Sequence, residues 1–163
     1  IYDKVENPNI NYERPFGFSF GISFNDVVTL TFVLGSLESN GIGTISFSKS
    51  MTKSFDWYFT LLKGISEGFR ITYSKIGFIE TSFNQNCKSY KFPLGWITYF
   101  SNDHELQIPN ELEGVEYEFT DIGKYLILTR EDFTTDKETY EAHKQKLLNV
   151  MEEIKRRVPE YGK

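Results

Sequence analysis

Twenty-seven aromatic side chains (15 Phe, 10 Tyr, 2 Trp) share this 163-residue chain with a single alanine, Ala142. A helical bundle fills its faces most easily with Ala, Leu and other good helix formers. Aromatic and β-branched side chains instead suit a pleated, half-buried surface, so this balance favours a sheet-rich core. The length suits one domain, able to bury about 70% of the surface that its unfolded chain exposes. Residues 1–15, with three Asn plus Pro8 and Pro15, read as an extended N-terminal arm, and residues 16–163 as a single domain.

The periodicity fills in this outline. Phe16, Phe18, Phe20, Ile22 and Phe24 alternate with Gly and Ser, as a strand requires. After Asn25, a possible cap, Val27, Leu30 or Thr31, Leu34 and Leu37 recur at three and four, and Asn40-Gly41 supplies a stop. This predicts a helix, although the β-branched run Val27, Val28, Thr29, Thr31 and Val33 leaves a second strand open. Thr44–Ser48 is a strand candidate. Ser54–Lys63 predicts a second helix ended by Gly64 and Gly68. Further on, Phe78–Phe83 and Lys88–Phe92 flank Asn84-Gln85-Asn86 as a hairpin, and Trp96–Phe100 forms another strand. Val115–Phe119 and Tyr125–Thr129 pair across Asp121-Ile122-Gly123. The capping-box pattern Thr135-x-x-Glu138 opens a long helix with Tyr140, His143, Leu147, Met151, Ile154 and Val158 on one face, stopped by Pro159. From Thr135 to Val158 it would span about 36 Å. The expected fold class is α+β, a mainly antiparallel sheet packed by two shorter helices and a long C-terminal helix.

Charge is distributed unevenly. Between Asn102 and Asp121 lie seven carboxylates (Asp103, Glu105, Glu111, Glu113, Glu116, Glu118, Asp121) and no Lys or Arg. The whole chain has 23 acids and 18 bases; without this stretch it has 16 acids and the same 18 bases. The net charge of −5 is therefore local. Such a stretch repels nucleic acid and attracts basic surfaces, so it points to a basic protein partner. From Asn102 to Gly114 it is a loop around Pro109, free to present charge. From Val115 to Phe119 strict alternation places Val115, Tyr117 and Phe119 on one face and sets Glu116 and Glu118 toward solvent. Charge protecting a sheet edge would account for the two strand glutamates alone. Twenty residues without a cation exceed that need, because solvated faces usually mix signs.

Catalytic patterns are sparse. Gly64-Ile65-Ser66-Glu67-Gly68 matches the G-x-S-x-G nucleophile elbow, which works only where a strand enters and a helix leaves. Here a helix enters, so Ser66 is expected to be an exposed serine at a glycine-bounded helix end; a small serine hydrolase is the alternative. His104, among Asp103 and Glu105, is expected to be a solvated residue, and that setting would raise its pKa. His143 is expected to be a buried packing residue. The acids of the loop lack the ligand spacing and central glycine of a calcium site, and Gly41-Ile42-Gly43 lacks the rest of a phosphate loop. Lys155-Arg156-Arg157 is too short a basic cluster for nucleic acid. No apolar run approaches eighteen residues, so no membrane span is expected. The lone Cys87 fits a reduced thiol, and Ile1–Tyr12 lacks a secretion-signal layout, so a cytoplasmic location is expected.

Gly95-Trp96-Ile97-Thr98-Tyr99-Phe100-Ser101 resembles the G-W-L-T-Y-L-S stretch of the immunity protein 52 family of bacterial polymorphic-toxin systems. Gly77-Phe78 with Asn84, Gln85 and Asn86, Cys87 with Ser89-Tyr90, Ile108-Pro109, and Gly123-Lys124-Tyr125-Leu126-Ile127-Leu128 are similar to the family's layout on either side, over about residues 77 to 155. The turn lacks that family's Trp and Gly. The resemblance implies an α+β fold, no enzymatic activity, no cofactor, and a cognate toxin, often a nuclease, as partner. A nuclease presents a cationic groove that carboxylates can fill. The candidate contacts are Asp103, Glu105, Glu111 and Glu113, with Glu116 and Glu118 second. An interaction or adaptor domain without a toxin partner is the remaining alternative.

Overall fold

The computed structural model describes residues 18–24, 28–34, 42–47, 53–69, 71–77, 89–132 and 136–162. The architecture is α+β, and the chain divides into two compact units, Ile1–Thr52 and Lys53–Lys163. The expected N-terminal arm, the Phe78–Phe83 strand with its turn, and Cys87 lie outside the described residues. Among the described residues there are two α-helices, not the three expected.

In the first unit, β1 (Phe18–Phe24), β2 (Val28–Leu34) and β3 (Ile42–Phe47) form an antiparallel sheet in chain order. β2 occupies the segment expected to be the first helix. Its register sets Phe20 opposite Phe32, Ile22 opposite Leu30, and Leu30 opposite Ile45. Residues 28, 30, 32 and 34 are all apolar and alternate with Thr29, Thr31 and Val33. Period two therefore fits every position, whereas the helical spacing left the stiff β-branched residues crowded against the preceding turn.

The second unit runs α1 (Phe55–Phe69), β4 (Tyr73–Ile76), β5 (Ile97–Ser101), β6 (Glu116–Thr120), β7 (Gly123–Ile127) and α2 (Lys137–Arg157), and closes with a 3-10 turn, Pro159–Tyr161. Its sheet is antiparallel, in the order β4-β5-β7-β6. Helix α1 does not stop at Gly64 or Gly68 but continues to Phe69. Each glycine costs about 1 kcal/mol in a helix interior. Burial of Phe55, Tyr58, Leu62 and Ser66 along one stripe offsets that cost. Its first amide, Phe55 N–H, donates to Asp132 Oδ1 (2.8 Å). The cap of α2 is Asp136, one residue beyond the expected Thr135: its Oδ2 accepts from Thr139 N–H at 2.9 Å. Leu147, Val150, Met151 and Ile154 form the buried stripe of α2. His143 is only half-buried, and its Nε2 lies 3.2 Å from Glu131 Oε2, so it pairs at the rim and does not pack in the core.

The two helices cover opposite faces of the sheet. Tyr99 sits opposite Tyr125 and Ile97 opposite Ile127, and this face meets α1. There Phe59 packs edge-on against Tyr125 (centroids 5.2 Å apart), and Ser66 Oγ lies 3.0 Å from Ser74 Oγ. On the other face Thr98 and Leu126 line a small cavity with Leu147 and Val150 of α2. Being covered twice, β5 is buried from Ile97 through Phe100. Residues 89–92, expected to be part of a strand, form a turn with one bridge, Tyr90 to Gly162. Lys91 N–H donates to Tyr161 O (2.9 Å), which ties the C-terminal turn to this loop in place of a hairpin.

Two glycine substitutions should have opposite signs. A Cβ on Gly123 would fall 2.3 Å from the Phe100 carbonyl oxygen, so Gly123→Ala should destabilise the chain by about 1–3 kcal/mol. A Cβ on Gly64 would meet nothing within 4 Å, so Gly64→Ala should stabilise α1 by about 0.5–1 kcal/mol. Urea unfolding midpoints measure both; a shared sign contradicts the packing described.

Candidate functional site

The acidic stretch is built on the β6–β7 hairpin and the segment leading into it. The hairpin forms where the sequence predicts, with Asp121 and Ile122 as its turn. The close approach at Gly123 lets β7 pass β5 without a side chain between them. The expected division of faces needs correction. Glu116 is exposed as expected, but Glu118 is half-buried, and both lie on the α1 side of the sheet, where cations meet them. Lys63 Nζ of α1 sits 2.9 Å from Glu118 Oε1, and Arg130 Nη2 sits 2.5 Å from Glu116 Oε1 and 4.0 Å from Glu118 Oε2. Hydrogen bonding from Arg130 holds the Glu116 carboxyl below the usual carboxylate range, and the bond that Lys63 donates to Glu118 raises the pKa of its ammonium. These are partly exposed pairs, each worth about 0.2–1 kcal/mol. Phe119, expected on the core side, is 59% exposed. Its ring stacks on Tyr117 (5.7 Å, 12°), whose hydroxyl donates to Pro109 O.

The loop from Asn102 to Gly114 is anchored, not free. His104, Ile108 and Leu112, spaced four apart, are buried, while Asp103, Glu105, Glu111 and Glu113, each next in sequence to one of them, are exposed. Lys124 of β7 holds the middle of the loop: its Nζ donates to the Ile108 carbonyl and to Asn110 Oδ1 (2.6 Å), and burial lowers its pKa. Near the far end Arg157 Nη1 of α2 donates to Glu111 O (3.1 Å). Gly114 turns the chain into β6 at φ 70°, a conformation that glycine adopts without strain.

Contrary to the sequence expectation, His104 is neither solvated nor raised in pKa. Its ring packs against Phe92 (4.5 Å) and Phe100 (4.8 Å), and Leu106 N–H donates to its Nδ1 (3.1 Å). Burial lowers its pKa and outweighs the opposing pull of the Leu106 backbone and Glu105. Ser66 is also displaced from its expected place. It is fully buried in the last turn of α1, so the strained strand-to-helix turn of a nucleophile elbow is not made there.

The six candidate acids therefore separate into groups. Glu105 pairs with Lys91 (3.0 Å), and Glu116 and Glu118 pair with Arg130 and Lys63. Asp103, Glu111 and Glu113, together with Asp121, have no cation within ion-pair distance among the described residues. Asp103 and Asp121 share one end of the sheet, where Asn102 Nδ2 donates to Asp121 O (2.8 Å). Glu111 and Glu113 sit nearer α2. Exposed Phe119 and Ile122 (41%) lie along the hairpin between these groups. Sequence alternation assigns Phe119 to the core side, because it shows which side chains share a face and not what covers that face. Among the described residues no helix is long and apolar enough to cross a membrane, and no cluster of three His, Cys, Asp or Glu side chains is placed to hold a metal ion.

The buried imidazole sets a pH dependence. With its folded pKa below that of the unfolded chain, the unfolded state takes up protons first. Stability is then lost as pH falls from about 6.5 toward the lowered folded value. Unfolding free energy followed against pH should show that decline in the wild type and lose it in His104→Gln; an unchanged slope in the variant contradicts the buried neutral ring.

No protein-family model, curated protein or solved structure matches this chain.

Proposed function

We propose that this protein is an immunity-type inhibitor that neutralises a basic toxin, expected to be a nuclease, by protein–protein contact. One observation carries the reading. Seven acids fall in a twenty-residue stretch without a cation, and four of them, Asp103, Glu111, Glu113 and Asp121, are exposed and unpaired among the described residues. Internal ion pairs use the others, so the surface charge that remains is the part not needed for the fold. With Asp103, Glu111 and Glu113 held on a segment pinned at His104, Ile108 and Leu112, and Asp121 in the hairpin turn, these backbones lose little freedom on binding, which lowers the entropic cost of association. Negative charge in a rigid frame steers a cationic nuclease surface and competes with phosphate for it. The resemblance of Gly95–Ser101 to the immunity protein 52 stretch supports the same role. In this role Trp96 and Tyr99 are core residues, 6% and 1% exposed, and serve the scaffold instead of the contact.

The test uses the product of the reading frame adjoining this chain's own. Co-expression should protect cells from that product, and the two should co-purify. Reversing Asp103, Glu111, Glu113 and Asp121 to lysine should cut the association rate about tenfold or more at low salt and flatten its salt dependence. Glu105→Gln, which disturbs only the pair with Lys91, should change association far less. Failure to protect removes the toxin reading. Protection with an unchanged salt slope in the lysine variant removes the acidic contact.

A further inference from the structure

The hydrogen-bond phase of the second sheet identifies which backbone groups of β6 are unused. Asn102 N–H donates to Ile122 O (2.9 Å) and Leu128 N–H donates to Trp96 O (3.0 Å). These bonds place the even-numbered residues of β7 toward β5. In an antiparallel ladder successive residues bond to opposite sides, so Gly123, Tyr125 and Ile127 bond toward β6. Their partners there are Thr120, Glu118 and Glu116. The N–H and C=O groups of Tyr117 and Phe119 therefore point away from β7, along the outer edge of the sheet. No backbone partner for either residue exists among the described residues.

This edge carries neither a bulge nor a proline, and its Phe119 is more than half exposed. It lacks two of the devices that usually blunt an open strand. We infer that β6 is a docking strand, and that its occupant is an extended cationic segment of the partner, added antiparallel to the Tyr117–Phe119 edge. This deepens the inhibitor reading and rests on it for the identity of the partner. Charge selects the occupant. In the chain the strand lies between exposed Glu111 and Glu113 before it and exposed Asp121 after it, and its own Glu116 and Glu118 are on the α1-facing side, partly screened by Arg130 and Lys63. A second copy of β6 would set like charges against one another, whereas a lysine- or arginine-bearing strand would meet opposite charge. The pleat also sets the pattern. Residues opposite Tyr117 and Phe119 share their face and should be apolar, and those opposite Glu116 and Glu118 should be basic.

The same geometry gives a probe. In a capped peptide of alternating lysine and valine, docked this way, the valine amides face β6 and the lysine amides face outward. The peptide should bind the full-length chain and slow amide exchange at Tyr117 and Phe119. N-methylation of its valines should weaken binding about tenfold, as expected for losing two or more net hydrogen bonds, while N-methylation of its lysines should leave binding nearly unchanged. Both methylated peptides keep the full charge, so simple attraction to the acids would not tell them apart. No binding by the parent peptide, equal binding by both methylated forms, or protection elsewhere in the chain would overturn the proposal. Phe119→Pro gives an independent arm. It removes an outward N–H and leaves the β7 ladder intact, as proline is tolerated on edge strands. The variant should lose peptide binding with unchanged protection at Glu118 and Thr120; retained binding overturns the edge. Because the peptide replaces the toxin, failure of the edge and failure of the toxin reading are separate results.

Discussion

The approach of the Phe100 carbonyl to Gly123, at a distance no Cβ would tolerate, locks β7 against β5, and much of the second unit follows from that register. A slip of one residue would move every side chain of β7 to the other face. In the register adopted, Tyr125 and Ile127 meet α1, while Lys124 and Leu126 face the side where α2 and the acidic loop lie. Lys124 then reaches the carbonyls that hold the loop in place. The hairpin partner inherits the phase: Glu116 and Glu118 come to the α1 side, where Lys63 and Arg130 meet them, and Tyr117 and Phe119 come to the other. The distribution of charge on the surface is thus a consequence of backbone pairing.

Several energies of modest size act together around the acidic stretch. Exposed ion pairs contribute little individually, about 0–1 kcal/mol each. Burying Ile108 and Leu112 contributes more, on the order of 1.5–3 kcal/mol per side chain. The loop is therefore held mainly by apolar anchors, and its carboxylates are carried along without bearing the structure. This separates the two roles by residue. Anchors at every fourth position set the shape, and the exposed acids between them can change without disturbing it.

Much of the second unit was legible in the chain. The hairpin around Asp121-Ile122, the strand after Trp96 and the long C-terminal helix each combine a clear period with a clear stop signal. The errors have physical causes. Apolar residues at positions 27, 30, 34 and 37 match helical spacing across β2, yet the alternation of 28, 30, 32 and 34 with β-branched residues carries more information. Gly64 and Gly68 read as stops by residue type, although a buried stripe continues past the first to Ser66. For the surface, local pattern was insufficient in principle. Whether Glu118 meets water or Lys63 depends on a residue 55 positions away, and whether His104 is solvated or caged depends on how the chain turns back onto Phe92 and Phe100. Sequence alternation fixes which side chains share a face, but not what covers that face.

The open edge of β6 and the unpaired carboxylates beside it belong to one design problem. A flat edge strand with an exposed phenylalanine invites pairing with any extended chain, including another copy of itself. Natural edges commonly answer with lysine, a proline or a bulge. Here the answer is a single sign of charge: Glu111, Glu113 and Asp121 remain uncompensated, and Glu116 and Glu118 are only partly screened by their partners. Such an edge repels copies of itself and other acidic strands at every approach, at the cost of repulsion among its own carboxylates. It remains open to a cationic strand, whose charges relieve that repulsion as its backbone completes the ladder. Protection against self-association and selection of a basic partner then come from the same side chains, so they are lost together when the charge is neutralised.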